Sequence, residues 1–266
     1  MIVQVDGLDV HANTGGVEPT PGDPLVILIH GAGMDGTVWQ LQTRYLAARG
    51  FTTVAIDLPG HGESAGEPIS DVVELGAWTT RLIEALGFGP ACLVGHSLGT
   101  FVAMEAAIAR PDLVRSLVLM GTATAMPVHP ELRRLADDDL PKAAALMAGW
   151  GHDEPARKGL NPTPGMWMTG SQRALIERSA PGVLGADFDA SAGYDRAEAT
   201  AAQVAVPTTV ILGDGDRMTR TKSGKALAAA IDGAELIVLR GVGHSMMHEN
   251  ARAVRSAIVP MARVGV

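Results

Sequence analysis

A serine between two glycines, in Gly95-His96-Ser97-Leu98-Gly99, constrains the fold of this chain more than any other feature. It follows the apolar run Cys92-Leu93-Val94 and leads into an alanine-rich segment of helical character. Such a serine occupies a tight strand-to-helix turn, where glycines let strand and helix approach more closely than a Cβ would allow. The pentapeptide alone could arise by chance in a chain with 32 glycines, so the flanking segments carry the interpretation. They predict a nucleophile elbow, with the Ser97 hydroxyl at the carboxyl edge of a sheet.

Length and charge narrow the class of protein. The chain has 266 residues and a formal net charge of −8, with acidic and basic residues scattered along it. This length suits one large domain, or a domain with an insertion. A basic footprint for nucleic acid and a polybasic membrane patch are both lacking. Cys92 is the only cysteine, which excludes a disulfide framework and a thiolate metal site, and we expect it to be a small buried hydrophobe.

The N-terminus gives an expectation for localisation. Met1 to Gly7 alternates apolar and polar residues, which is typical of a strand and unlike a signal peptide. No run of about 18 uncharged apolar residues occurs, so no transmembrane helix is predicted. We therefore expect a cytoplasmic protein, a monomer or a homodimer, that acts on a small molecule.

Apolar runs alternate with helical patterns through most of the chain, which predicts βαβ units and a doubly wound, mostly parallel sheet. The predicted strands are 2–5, 8–12, 25–29, 52–56, 92–95, 114–120, 208–212 and 235–239. The predicted helices are 39–49, 70–86, 100–109, 221–231 and 250–263. We assign residues 1–120 and 204–266 to the two parts of one α/β core.

The rhythm breaks between residues 121 and 203, where prolines recur and no strand-like apolar run is found. Short helical pieces such as 141–150 and 171–180 can still be recognised. We interpret this insertion as a helical lid over the sheet edge.

A serine hydroxyl needs a base within hydrogen-bond reach, and the base needs an orienting group. His244 follows the strand that ends at Leu239, and both Asp214 and Asp216 follow the strand that ends at Leu212. Parallel strands bring these positions to one edge, so the second half of the chain supplies a histidine and two candidate acids.

In these features the chain resembles the α/β-hydrolase fold superfamily over nearly all of its length except the insertion. The matching motifs are His30-Gly31-Ala32-Gly33, the turn Asp57 to Ser64, Gly95 to Gly99, Gly213 to Asp216, and Gly243-His244. The resemblance implies an eight-stranded, mostly parallel sheet with an antiparallel second strand, helices on both faces and a lid.

The same resemblance implies the roles of the site residues. Ser97 would be the nucleophile, His244 the general base and later acid, and Asp216 the orienting carboxylate, with Asp214 a turn residue. The oxyanion hole would comprise the backbone N–H groups of Ala32 and Leu98.

The remaining histidines have simpler interpretations. We expect His96 to pack in the core, His61 to form structural hydrogen bonds, and His30 to brace the oxyanion loop. His248 lies four residues after His244, but no HExxH pattern supports a metal site. The expected mechanism requires no metal and no other cofactor.

These features together predict a cofactor-independent serine hydrolase that cleaves a small or medium apolar carboxylic ester. The family uses the same triad for thioester hydrolysis, carbon–carbon bond cleavage, perhydrolysis and lyase chemistry, and a non-catalytic binding protein on this fold is a further alternative. Methionine and tryptophan concentrate in the insertion, where they would either pack the lid onto the core or form an apolar roof over Ser97. The candidate substrate-binding residues are Gly31, Gly33, Met34, Met126, Trp150, Trp167, Met218 and Met246.

Overall fold

The computed structural model describes residues 1–160 and 165–265, and eight strands of this part form one sheet. The strands are β1 (Ile2–Val5), β2 (Leu8–Asn13), β3 (Leu25–Ile29), β4 (Thr52–Ile56), β5 (Ala91–His96), β6 (Val114–Met120), β7 (Thr208–Gly213) and β8 (Glu235–Leu239). Their order is β1-β2-β4-β3-β5-β6-β7-β8. Only β2 runs antiparallel to its neighbours, β1 and β4, and the other neighbouring pairs are parallel. The predicted sheet with its antiparallel second strand is confirmed.

Helices pack on both faces of this sheet. The core helices are α1 (Gln40–Ala47), α2 (Val72–Leu86), α3 (Leu98–Ala109), α10 (Thr221–Ala230), α11 (Met246–Glu249) and α12 (Ala251–Ala262). Strand β3 shows why its sequence is a continuous apolar run. Its residues Leu25, Ile27 and Ile29 join the core cluster on the face of α2 and α3, whereas Val26 and Leu28 join the cluster that includes α12. Both faces of the strand are therefore buried.

The helix bounds differ from the predicted ones by a few residues, for local reasons. A 3₁₀ helix at Gly36–Trp39 precedes α1, and the Asp35 side chain caps it by accepting from the Thr37 N–H. Helix α3 begins at Leu98, directly after the elbow, two residues earlier than predicted. Helix α2 ends at Leu86 and is capped by Gly87 in the left-handed region (φ 69°), as its sequence indicates.

Between β6 and β7 the described residues form α4 (Pro130–Asp138), α5 (Leu140–Gly151), α6 (Glu154–Arg157), α7 (Met168–Glu177), α8 (Val183–Gly193) and α9 (Ala197–Ala201). Helices α4, α5, α7 and α8 form a third apolar cluster, which includes Leu132 of α4, Met147 of α5 and Phe188 of α8. Ala32, from the loop after β3, belongs to the same cluster. The inserted segment therefore packs directly on the carboxyl edge of the sheet. Residues 161–164 of the predicted lid lie outside the described residues.

Within residues 1–160 and 165–265, no helix is both long enough and apolar enough to cross a membrane.

Candidate active site

The turn at Ser97 carries the backbone strain that the sequence predicts. Ser97 has φ 53° and ψ −121°, and Asp6 is the one other described non-glycine residue with positive φ. A Cβ on Gly95 would lie 2.3 Å from the carbonyl oxygen of Gly99, and one on Gly99 would lie 2.6 Å from that of Ile29. Both glycines are therefore required by close backbone approach, and the strained turn leaves the Ser97 side chain at the carboxyl end of β5.

Asp216 and His244 form a buried pair beside Ser97. The Nδ1 atom of His244 lies 2.7 Å from Oδ2 of Asp216. The same carboxylate accepts the Thr219 hydroxyl at Oδ2 (2.7 Å), and the N–H groups of Met218 and Thr219 at Oδ1 (2.8 and 2.9 Å). Burial opposes ionisation, but the charge of His244 and these hydrogen bonds outweigh it and hold the pKa of Asp216 below its usual range. The carboxylate is thus ionised and fixed in place.

The other candidate acid, Asp214, is exposed and lies away from the histidine ring. Its Oδ1 accepts the N–H of Gly241 at 2.7 Å, which connects the turn after β7 to the loop before His244. Of the two carboxylates, only Asp216 contacts His244.

Ser97 and His244 line the same cavity. The hydrogen bonds of the described residues include none between the Ser97 hydroxyl and the imidazole. Catalytic hydrogen bonds of this kind often shorten only in the substrate complex, so the shared cavity is the relevant observation.

Two backbone N–H groups remain available beside Ser97. The N–H groups of Ala32 and Leu98 donate to no described residue. By contrast, the N–H of Gly33 donates to Oδ2 of Asp187 in α8 at 2.7 Å. Ala32 and Leu98 are therefore the free donors at the positions where an oxyanion hole is expected.

A buried ion pair braces residues 30–33, which follow β3 and form the predicted oxyanion loop. Nε2 of His61 lies 2.9 Å from the Asp187 oxygen that accepts from Gly33, and both side chains are 2% exposed. Burial by itself lowers the pKa of His61, but the Asp187 carboxylate raises it overall. His30 accepts the Leu58 N–H at Nε2 and contacts the carbonyl of Gly31 through Nδ1. Burial, together with the charge of His61, lowers the pKa of His30 to about 4, so its ring is neutral.

His96 does more than pack in the core. Its Nε2 lies 2.9 Å from the backbone carbonyl of His244, and because a carbonyl only accepts, this nitrogen carries the proton. Burial, followed by the charge of His244, holds the pKa of His96 well below its usual range. The neutral ring lies 4.6 Å from the ring of His244 and fixes the loop that carries it. His248 contacts the carbonyl of Val38 through Nε2.

The cavity above Ser97 has a volume of about 640 Å³, which is in the range of ligand pockets. Five of the predicted substrate-binding residues line it, namely Gly31, Met34, Met126, Trp150 and Met218. Further lining residues come from the inserted helices, among them Leu132, Met147, Gln172, Phe188 and Ser191. The wall is therefore mostly apolar on the side of the insertion.

Three predicted substrate-binding residues lie elsewhere. Trp167 is 76% exposed, and its ring covers the backbone of Gly170. Met246 is fully buried in the core cluster that contains α12, and Gly33 faces Leu184 and Ile176 on the far side of the oxyanion loop. Sequence proximity to the predicted triad misled the prediction for Met246 and Gly33, because a residue next to a site in the chain can point to the opposite side.

Comparison with known proteins agrees with this geometry. A family model described as "Alpha/beta hydrolase family" matches residues 26–257. The chain belongs to the α/β-hydrolase family.

Relatives within the family are distant. A segment of 108 residues, 39% of each chain, is 36% identical to (E)-2-((N-methylformamido)methylene)succinate hydrolase of Acinetobacter baylyi (strain ATCC 33305 / BD413 / ADP1). RutD of Klebsiella pneumoniae (strain 342), whose name proposes a carbamate hydrolase, is 27% identical over 92% of this chain and 96% of its own. A solved structure titled as a thermophilic esterase superposes with a TM-score of 0.80 at 26% identity, covering 100% of this chain and 98% of that one. These names support a hydrolytic activity.

Two residues with a clear place in this α/β-hydrolase site were not predicted. Thr219 holds Asp216, and its hydroxyl also lies 3.2 Å from Nδ1 of His244. Its position three residues after the acid is a spacing at which a side chain can bond locally, so a signal existed. Asp187 reaches Gly33 from 154 residues away, and nothing local in the sequence indicates that contact.

Proposed function

We propose that this chain is a serine hydrolase that cleaves a small or medium apolar carboxylic ester through an acyl-enzyme. The observation that carries the proposal is the strained Ser97, which opens into the same cavity as the buried Asp216–His244 pair. Strain at a non-glycine residue persists where the surrounding structure enforces it, and it places a nucleophile free of its neighbours. The comparison with an esterase of known structure supports the same chemistry.

In the first half-reaction the Ser97 oxygen attacks the ester carbonyl while Nε2 of His244 takes the hydroxyl proton. The carbonyl oxygen becomes an oxyanion, which would accept hydrogen bonds from the N–H groups of Ala32 and Leu98. The C–O bond to the alcohol then breaks, and His244 gives its proton to the leaving alkoxide. Asp216 stabilises the imidazolium that exists between these proton transfers, since its carboxylate is ionised.

In the second half-reaction a water molecule replaces the alcohol. His244 takes a proton from this water, whose oxygen attacks the acyl carbon and forms a second oxyanion. Collapse breaks the bond between the acyl carbon and the Ser97 oxygen, the serine recovers its proton from His244, and the carboxylic acid leaves. The apolar wall formed by Met126, Met147 and Trp150 would hold the hydrocarbon part of the substrate.

The test is a panel of 4-nitrophenyl esters of graded chain length, with intact-mass detection of the acylated protein. We expect turnover with an acyl adduct that maps to Ser97, and a loss of at least about 10³-fold in Ser97→Ala. Ser97→Ala should retain the melting temperature, because it removes one oxygen atom and little packing. Undiminished turnover in Ser97→Ala would contradict the serine mechanism, and a wild-type chain that binds these esters without turnover would favour a binding protein on this fold.

A further inference from the structure

The charged side chains of the cavity wall are unlike those of the rest of the surface. The chain carries 29 acidic and 21 basic residues, yet no Asp or Glu of the described part lines the cavity above Ser97. Its wall instead includes the arginines Arg217 and Arg220, and they flank Met218 and Thr219, which line it as well. A net negative protein thus presents a positively charged wall at its candidate active site.

Both guanidinium groups are available to a ligand. Arg217 and Arg220 are exposed, and neither forms an ion pair with a described residue. Most arginines of the inserted helices are committed to carboxylates instead. Arg133 pairs with Asp137 and Asp189, and Arg134 pairs with Glu131 and Asp138. Helix α4 begins at the cavity. Its acidic side chains are paired with their own arginine partners, so they do not neutralise the charge of Arg217 and Arg220.

The position of the two arginines relative to the triad is fixed by the chain. Arg217 follows Asp216 directly, and the backbone between the two arginines is held because Met218 and Thr219 donate to the Asp216 carboxylate. A guanidinium group on this loop is a planar donor of several N–H groups that binds carboxylates well. The opposite wall, with Leu132, Met147 and Phe188, is apolar. The cavity therefore combines an apolar wall with a cationic one.

We infer that the substrate carries an anionic group, a carboxylate, which Arg217 and Arg220 bind while the apolar wall holds the hydrocarbon part between that group and the scissile ester. This inference rests on the proposed function and refines it from an apolar ester to an ester with a remote carboxylate. The arginines would act on binding rather than on the bond-breaking step, because they approach a charge that is the same in the ground state and the transition state.

The experiment compares two substrates of equal carbon chain, 4-nitrophenyl hexanoate and the 4-nitrophenyl half-ester of adipic acid. The readout is the ratio of kcat/KM for the charged ester to that for the neutral one. We expect this ratio to fall about tenfold in Arg217→Gln/Arg220→Gln, mainly through KM for the charged ester, since charge-assisted hydrogen bonds are lost. The double lysine variant, which keeps the charge, should restore most of the lost kcat/KM ratio. Arg252→Gln is the matched control, because Arg252 is exposed on α12, has no ion-pair partner among the described residues and lies outside the cavity.

Ionic strength provides a second readout. Added salt should reduce the ratio in the wild type and should have little effect on it in the double glutamine variant, because exposed charges are screened. A ratio that is equal in the wild type and the double glutamine variant would overturn the inference.

The inference and the proposed function can fail separately. If the wild type hydrolyses neither ester, the proposed function fails. Calorimetry that compares the binding of adipate with that of neutral 1,6-hexanediol then tests the anion site. Binding of adipate that is lost in the double glutamine variant and kept in Arg252→Gln would support it. Absent binding, or binding that is indifferent to both arginines, would overturn it.

Discussion

At the scale of single residues, the environment of each carboxylate decides what it can do. Asp216 is buried and accepts hydrogen bonds from Met218 and Thr219 besides contacting His244. Asp214, two residues earlier, is exposed and bonds the backbone of Gly241. Residues that are almost adjacent in the chain thus differ in role because one side chain turns towards the histidine and the other towards a neighbouring loop.

This difference predicts a ranking of two variants. Asp216→Asn should lose about 10⁴-fold in kcat, because an amide that replaces the carboxylate favours the wrong tautomer of His244. Asp214→Asn retains an acceptor for the Gly241 N–H and should stay within a few-fold of the wild type. Steady-state kinetics with one 4-nitrophenyl ester measures both. The opposite ranking would move the acid role to Asp214.

At the scale of secondary-structure elements, the tryptophan at the end of α5 and the one directly before α7 have different surroundings. Trp150, near the end of α5, lines the cavity and contacts the ring of His129 edge-on, with 6.0 Å between ring centroids. Trp167 precedes α7, and its ring lies over the first turn of that helix. The assignment of residues 121–203 as a helical lid over the sheet edge stays a prediction.

The two tryptophans form a matched pair for testing the roof of the cavity. Trp150→Ala should raise KM for hexanoate esters about tenfold and for acetate esters much less, because apolar contact with the longer acyl chain is lost. Trp167→Ala should leave the chain-length preference unchanged, as its side chain lies outside the cavity. KM measured across acetate, butyrate and hexanoate esters tests this. Equal effects of the two variants would show that neither contact is specific to the acyl chain.

At the scale of the whole molecule, Glu249 of α11 connects the histidine loop to the inserted segment. Its carboxylate accepts the N–H of Gly243 and that of Asp153, both at 3.0 Å to Oε2. Burial raises the pKa of Glu249 from 4.5 to about 6, although these hydrogen bonds oppose the shift.

The raised pKa gives a pH dependence of stability with a definite sign. The unfolded chain releases the Glu249 proton near pH 4.5, whereas the folded protein retains it up to about pH 6. The contribution of Glu249 to the free energy of unfolding is therefore fully present below pH 4.5 and falls by about 1–2 kcal/mol as the pH rises to about 6. Urea unfolding should show that Glu249→Gln gains stability relative to the wild type as the pH rises from about 4 to 7. Glu198→Gln, at an exposed position, should match the wild type, and an identical pH dependence of stability in all three proteins would contradict the assignment.

Local sequence was sufficient for much of the fold and for the residues of the candidate triad. The strands Leu25–Ile29, Thr52–Ile56 and Val114–Met120 lie at their predicted residues. Strands buried on both faces carry near-continuous apolar runs, and the runs 25–29, 54–56 and 117–120 mark these three. The candidate nucleophile was recognisable for a similar reason. Close packing of Gly95 and Gly99 against carbonyl oxygens excludes any side chain there and leaves a pattern in the sequence.

The wall of the cavity was only partly predictable. Met126 and Trp150 line it as expected, but Trp167, of the same segment and a similar character, is exposed. The direction in which a helix end points depends on how the inserted helices pack, and apolar character alone does not encode that direction.

What the sequence by itself determined is therefore the set of positions where the backbone or the burial pattern permits few residue types, namely the apolar strands, the glycines of the elbow, and the serine, acid and histidine that follow strand ends. What only the tertiary structure decided is which distant groups meet. Asp187 reaches Gly33 and His61, Glu249 reaches Gly243 and Asp153, and two arginines without an ion-pair partner among the described residues line the cavity. Most of these contacts join separate segments through single hydrogen bonds or charges, so they impose no periodicity on the chain and become visible only when the packed elements bring them together.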